Sequence, residues 1–176
     1  MNKWFNTVQA QFFFAQGALE RLATLEDSET TNQSYKQTMN ESMLVMQELW
    51  FAWLNEWSEY LSPKQAVKRV ETFNHLADMF PTAPEVQGVV SRISSGEHWA
   101  QAFIELETLS SQDWLARIGK QKAKANNEPS ANSGMIMIAR TKARRLSVLN
   151  GAEDLHEMLV GLKDFVKSVR SQHTEW

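Results

Sequence analysis

Two short patterns in this sequence have the residue types and spacing of known metal-binding or catalytic sites, and the first is a Glu-x-x-His pair. Glu153 and His156 have the spacing with which the helices of di-iron bundles supply metal ligands. Such a site needs a second pair and two further inward-facing glutamates, and the chain contains no second Glu-x-x-His. We therefore interpret Glu153 and His156 as part of a solvated helix face, and we predict no metal site.

The second pattern consists of Arg69 and His75, which have an Arg-x5-His spacing similar to that of HEPN-type helical nucleases. In those nucleases a polar residue usually follows the arginine, whereas Val70 follows it here. The pattern is short and nonspecific, so we favour two surface residues on a predicted third helix. A helical ribonuclease is kept as an alternative.

The remaining residues do not support nucleophilic catalysis. The chain has no cysteine, which excludes disulfides, thiolate metal ligands and a cysteine nucleophile. It also has no Gly-x-Ser-x-Gly motif and no glycine-rich phosphate loop. We interpret His98 and His173 as structural or solvated. These observations predict a non-enzymatic protein with no catalytic residue and no cofactor.

A basic segment between Arg117 and Arg145 is the best lead to a binding partner. It holds eight basic residues and one acid, so it carries +7 in a chain whose net charge is −3. The candidate residues for binding an anionic partner are Lys120, Lys122, Lys124, Arg140, Lys142, Arg144 and Arg145. No aromatic residue lies among them, so base stacking is not indicated. Nucleic acid, an acidic protein surface and simple charge balance all stay open.

The elements that would position these residues are organised around one tryptophan-rich helix. Its large apolar residues recur at spacings of four, three, four and three, which is one face of an α-helix. This core stripe consists of Met46, Trp50, Trp53, Trp57 and Tyr60. Burying a large side chain is worth about 2–3 kcal/mol, so we expect other helices to cover the stripe. A ligand-lining role for its rings is the less favoured alternative.

This second helix is predicted from about Asn32 to Leu61, and its polar face is assigned to Gln47, Glu48, Asn55, Glu56 and Glu59. The first helix is predicted from Lys3 to Leu25, with Phe12, Phe13 and Phe14 covered on two sides. The third is predicted to begin with a capping box at Ser62-Pro63-Lys64-Gln65 and to end before Pro81. Further helices are predicted over about 82–93, 97–109 and 152–170.

Together these elements predict an all-α, up-and-down helical bundle of five or six helices with one long basic crossover loop before the last helix. Residues 1–118 are the bundle core, 119–151 a basic flexible loop and crossover, and 152–176 a C-terminal helix that packs back on the core. Within the crossover, Met135–Ala139 is either extended or the start of a helix. No apolar run approaches the ~20 residues that span a bilayer, so we expect a cytoplasmic protein without membrane contact.

Several loose motifs occur in an order found in a known family. They are Gln9–Ala15 with Leu19-Glu20, Asn40-Glu41-Ser42, Glu97-His98-Trp99, the Met135–Ile138 run after a basic loop, and the ending Glu175-Trp176. In these the chain resembles a small family of gammaproteobacterial proteins, a domain of unknown function known chiefly from pseudomonads. It departs from that family in having more tryptophan in the second helix and no proline-rich linker. The resemblance implies a cytosolic helical protein and transfers no catalytic residue.

The function predicted on these grounds is protein–protein interaction or self-association, because long helices with surplus apolar area often extend into an interface. The first alternative is binding of nucleic acid or another anionic partner through the basic segment. The second alternative is the HEPN-like helical ribonuclease. No small-molecule ligand is indicated.

Overall fold

The computed structural model describes residues 3–26, 32–63, 69–94, 99–109, 147 and 151–174. These residues form six helices and no strand, which confirms the all-α bundle. The helices are α1 (Phe5–Glu26), α2 (Asn32–Leu61), α3 (Phe73–Met79), α4 (Pro84–Ile93), α5 (Trp99–Thr108) and α6 (Ala152–Thr174). Within the described ranges, no helix combines the length and apolar character needed to cross a membrane. Of the predicted crossover loop, residues 119–151, the structure describes only Ser147 and Gly151.

Helix α1 lies antiparallel to the long α2. Near the start of α1, the Trp4 ring meets the Phe51 ring edge-on with centroids 5.8 Å apart. At the other end, the Tyr35 hydroxyl donates to Glu26 Oε1 over 2.9 Å. This arrangement matches the up-and-down order expected for helices joined by a short loop.

Helix α6 runs parallel to α2 and antiparallel to α1. The Phe165 ring meets Trp53 in the last third of α2, and the His173 ring stacks on Tyr60 near the end of that helix. The first backbone N–H of α6, on Ala152, donates to Glu26 Oε1 at the end of α1 over 3.0 Å. Helices α1, α2 and α6 therefore pack side by side along most of their lengths.

The core stripe lies in the interior of the bundle. Met46, Trp50, Trp53 and Trp57 are at most 2% exposed, and Tyr60 is half-buried. Their rings are covered by aromatic side chains from three other helices: Trp50 stacks on Phe103 of α5, and Trp57 contacts Phe73 of α3 and Phe165 of α6. Offset and edge-on ring pairs of this kind add about 0.5–1.5 kcal/mol each to the burial of their area.

The predicted start of the third helix is wrong. Residues 69–72 are not helical, and α3 begins at Phe73 with Thr72 as its N-cap, whose hydroxyl accepts from His75 N over 3.1 Å. The side chain of Asn55 holds the preceding segment out of the helix, because its oxygen accepts from Val70 N and its amide donates to Val70 O. Lys64 and Gln65 of the predicted capping box lie outside the described residues.

The polar face assigned to α2 is also partly wrong. Asn55 and Glu56 are buried, although Glu48 is exposed as expected. The amide of Asn55 is satisfied by Val70 as described, and the Glu56 carboxylate by a guanidinium from α6. Buried polar groups are tolerated when such partners satisfy them, so α2 is enclosed on more of its circumference than its stripe indicates.

The cover predicted for the phenylalanines of α1 is wrong for two of the three. Phe12 packs against the core, whereas Phe13 is 77% and Phe14 55% exposed. Consecutive helical residues point in directions about 100° apart, so three in a row are all buried only when the helix is enclosed on nearly every side. In the described structure α1 packs on α2 and α6, and this leaves much of its circumference open.

Candidate interaction surface

A groove with apolar walls and positive charge lies between the first half of α1 and the second half of α6. Its volume is about 280 Å³. The apolar part is formed by Phe12, Phe13, Leu159 and Val166. The cations are Lys163, Lys167 and Arg170, and no acidic side chain from the described part of the chain lines this space. We call it the basic groove.

A second groove, of about 400 Å³, continues between the same two helices toward the other end. Its acidic residues are Glu20, Glu26, Glu153 and Glu157, with His156 among them. Its apolar residues are Leu19, Ala23 and Ala152, and its described lining includes no lysine or arginine. Gln16 borders both spaces, so this acidic groove and the basic groove form one charge-separated α1–α6 seam.

Three large apolar side chains are exposed on the helices of this seam, namely Phe13, Phe14 and Val160. Phe13 borders the basic groove and is 77% exposed, and Val160 lies midway along α6 and is 44% exposed. An exposed apolar group beside a groove with charged edges is the composition of a protein interface, with an aromatic centre and a polar rim. The α1–α6 seam is therefore the candidate interaction surface.

The charge of Arg170 is directed into the bundle. Its Nε and Nη2 donate to the two oxygens of Glu56, each over 2.7 Å, and its guanidinium lies 4.1 Å from the centroid of the Phe5 ring. The Tyr60 hydroxyl also donates to Glu56 over 2.9 Å. Burial and this hydrogen bond raise the pKa of Tyr60 to about 12. Because Arg170 is occupied in this way, Lys163 and Lys167 supply the positive charge that faces outward.

Glu26 has a corresponding structural role at the acidic end. Its Oε1 accepts from both the Tyr35 hydroxyl and the Ala152 backbone N–H, and burial together with this carboxylate raises the pKa of Tyr35. Gly151 has a φ of 107° and lies so close that a Cβ there would come within 2.5 Å of Glu26 Oε1. Only glycine adopts this conformation without strain. The outward negative charge therefore comes from Glu20, Glu153 and Glu157.

A half-buried carboxylate that sequence reasoning missed, Glu107 of α5, connects this helix to α2 and α3. Glu107 Oε1 accepts from Trp50 Nε1 over 2.6 Å and from Phe73 N over 2.8 Å. Burial raises the pKa of this carboxyl, and the two hydrogen bonds partly oppose the rise. Glu107 also borders a small groove of about 180 Å³. With two structural donors on one oxygen, Glu107 positions Trp50 and the start of α3.

The two catalytic patterns do not assemble into sites. Arg69 lies outside α3, with its guanidinium 4.5 Å from the centroid of the Phe51 ring, so it does not share a helix with His75. Glu153 and His156 are both exposed on α6. The described residues include no cluster of three or more histidine, aspartate or glutamate side chains that could hold a metal ion.

The other predicted residues fall into two groups. His173 is half-buried, and its Nε2 lies 3.5 Å from Glu85 Oε1 of α4. His98 and the seven basic candidates from Lys120 to Arg145 lie outside the described residues, as does Met135–Ala139. The basic segment therefore stays a prediction from the sequence.

The seam residues were missed because periodicity identifies the face of a helix that is buried and does not identify which exposed face meets a partner. The sequence feature that could have indicated these residues is the set of charged residues on both sides of Val160 in the last helix. Comparison with known proteins adds no family: no family model, curated protein or solved structure matches the chain.

Proposed function

We propose that this chain is a non-enzymatic, cytoplasmic protein-binding module that contacts its partner through the α1–α6 seam. The observation that supports the proposal most directly is Phe13, a phenylalanine that is 77% exposed beside a groove of matching apolar character. Fully burying such a side chain is worth about 2–3 kcal/mol, which the isolated chain does not gain.

The distribution of charge supports the same proposal. Lys163 and Lys167 lie at one end of the seam, and Glu20, Glu153 and Glu157 at the other. A surface with separated charges selects both the partner and its orientation, because a wrongly aligned partner brings like charges together. A small-molecule site would instead be an enclosed pocket with a few converging polar groups.

The proposal is tested by photo-crosslinking in the cells that make this protein. A photoreactive phenylalanine analogue replaces Phe13, and the matched control carries the same analogue at Ser91, an exposed residue of α4. We expect an adduct of defined mass at position 13 that is absent at position 91 and is reduced at least tenfold by Lys163→Glu/Lys167→Glu. Equal labelling at the two positions, or none at either, would contradict the proposal.

A second candidate function is binding of an anionic partner through the basic segment. It is supported by the +7 charge between Arg117 and Arg145. The two functions use different residues, so they can be tested separately.

A further inference from the structure

We propose that the partner is a second copy of this chain, bound through the α1–α6 seam with the two α6 helices antiparallel and Val160 on the two-fold axis. This inference rests on the proposed function and identifies its partner. An isologous dimer uses the same surface on both subunits, so that surface must be complementary to itself. The seam meets this condition because one half is positive and the other negative.

The register of α6 carries the argument. Ten residues of α6 are exposed: three lie near its C-terminal end (Ser168, Ser171 and Gln172), and the other seven are centred on Val160. These seven are Glu153, His156, Glu157, Val160, Lys163, Asp164 and Lys167. In an antiparallel pair centred on Val160, each residue faces the one equally far from Val160 on the other side, because contacts across a two-fold axis are reciprocal.

This register gives three complementary pairs on each side of the axis. Glu157 faces Lys163 of the second copy, three residues from the centre, and Glu153 faces Lys167, seven residues from the centre. Between them, His156 faces Asp164, four residues from the centre. The order of the glutamate and lysine charges along the helix is therefore the reverse of itself with each sign changed, and an imidazole N–H of His156 can donate to the Asp164 carboxylate. A parallel pair of the same helices would instead set Lys163 on Lys163 and Glu157 on Glu157, which is repulsive.

Helix α1 fits the same axis. Because α1 is antiparallel to α6 and Gln16 borders both grooves, the two-fold axis that crosses Val160 passes near Gln16. In this dimer the exposed ring of Phe13 lies over the acidic groove of the second copy. That groove has about 400 Å³ of space, and its apolar residues include Leu19 and Ala23. The exposed ring thus gains an apolar contact that the single chain does not provide.

Charge reversal in the purified full-length chain tests this arrangement. One variant carries Lys163→Glu/Lys167→Glu and the other Glu153→Lys/Glu157→Lys, and all four residues are exposed. We expect the wild-type chain to dimerise in sedimentation velocity, each variant alone to dimerise at least tenfold more weakly, and an equimolar mixture of the two variants to form a heterodimer. Circular dichroism and thermal melts verify that both variants are folded.

Two results overturn the inference. One is a wild-type chain that stays monomeric at all concentrations. This result overturns the inference whether the acidic groove is then empty or filled by residues 117–145 of the same chain. The other is a mixture of reversed variants that forms no heterodimer. If the purified chain is monomeric while Phe13 forms an adduct with a different protein in cells, the second-copy inference fails and the proposed function stands.

A cysteine crosslink tests the position of the axis. The chain has no cysteine, so Val160→Cys introduces a single thiol. We expect mild oxidation to join two copies efficiently, because the two substituted side chains meet at the axis. The matched control is Gln172→Cys, an exposed position on the same helix where the two thiols would be ~36 Å apart. Equal crosslinking of the two variants would contradict the proposed register.

Discussion

The carboxylate of Glu56 and the guanidinium of Arg170 form a two-point ion pair inside the bundle, with both N–O distances 2.7 Å. Glu56 is fully buried and the Arg170 side chain is 13% exposed. The pair joins the C-terminal part of the central helix to the last helix, and both Phe5 and Tyr60 contact it. Since Arg170 also lines the basic groove, this contact connects the stability of the core to the shape of the α1–α6 seam.

The first prediction concerns this pair. Arg170→Met leaves the Glu56 charge buried without its main partner, and removal of one member of a buried pair costs about 3–5 kcal/mol. We expect a loss of that size in the free energy of unfolding, measured by urea denaturation. The double variant Glu56→Gln/Arg170→Met should recover part of the loss, because no uncompensated charge remains.

Lys167→Met on the same helix is the control for this experiment. Lys167 is exposed and its Nζ lies 3.8 Å from Oδ1 of the equally exposed Asp164, so its replacement should change stability by less than about 1 kcal/mol. If Arg170→Met costs no more than Lys167→Met, the pair does not stabilise the fold.

The second prediction concerns close packing at Gly161. A Cβ at this position would lie 2.5 Å from the Trp99 ring, so the α5–α6 contact depends on the absence of a side chain. Overpacking costs about 1–3 kcal/mol, which exceeds the helix propensity that alanine adds. We expect Gly161→Ala to lower the thermal midpoint. Gly88→Ala in α4 is the matched control, because apart from its two chain neighbours and the backbone of its own helix no atom lies within 4 Å of its Cβ position, and it should stabilise by about 0.5–1 kcal/mol. Equal effects of the two substitutions would contradict this packing.

The third prediction is a loss of stability at alkaline pH. In the folded chain the pKa of Tyr60 is raised to about 12, from 10.0 for a free tyrosine, and the pKa of Tyr35 is also raised. The unfolded chain therefore releases these protons first. Stability from this source is complete below pH 10 and falls as the pH rises toward 12, because the unfolded state then binds fewer protons.

Urea midpoints measured between pH 9 and 12 test the alkaline prediction, and the absorbance of tyrosinate reports on the only two tyrosines. The Tyr60→Phe variant should lose less stability over this interval than the wild-type chain. A wild-type chain whose two tyrosines both titrate near pH 10 while it is folded would refute the prediction.

The fourth prediction concerns the basic segment. If residues between Arg117 and Arg145 contact phosphates, binding to single-stranded RNA or to DNA should weaken steeply with salt, because each neutralised phosphate releases a counterion. Neutralising Arg140, Lys142, Arg144 and Arg145 should weaken the binding further and reduce its salt slope. A gel shift over a series of salt concentrations measures both effects. The absence of a gel shift at low salt would contradict binding of nucleic acid by this segment.

Much of the fold can be predicted from local patterns. The bounds of α2 and the inward residues of α6, from Leu155 to Val169, follow from apolar spacing, because that spacing places a continuous stripe on one side of a helix. The start of α3 at Phe73 does not follow from it. The side chain of Asn55 bonds both backbone polar groups of Val70 and so keeps this residue out of the helix, and the contact between them cannot be identified before the chain is folded.

By itself, the sequence determined that this chain is helical, that Trp50, Trp53 and Trp57 of α2 face inward and that its last helix has an apolar side. The tertiary structure decided that Glu56 is buried, that Phe13 is exposed and that two grooves of opposite charge meet at Gln16. The physical reason is the range of the interactions. Helix periodicity depends on residues three and four apart, whereas burial and surface charge depend on contacts such as that between Glu56 and Arg170, 114 positions apart.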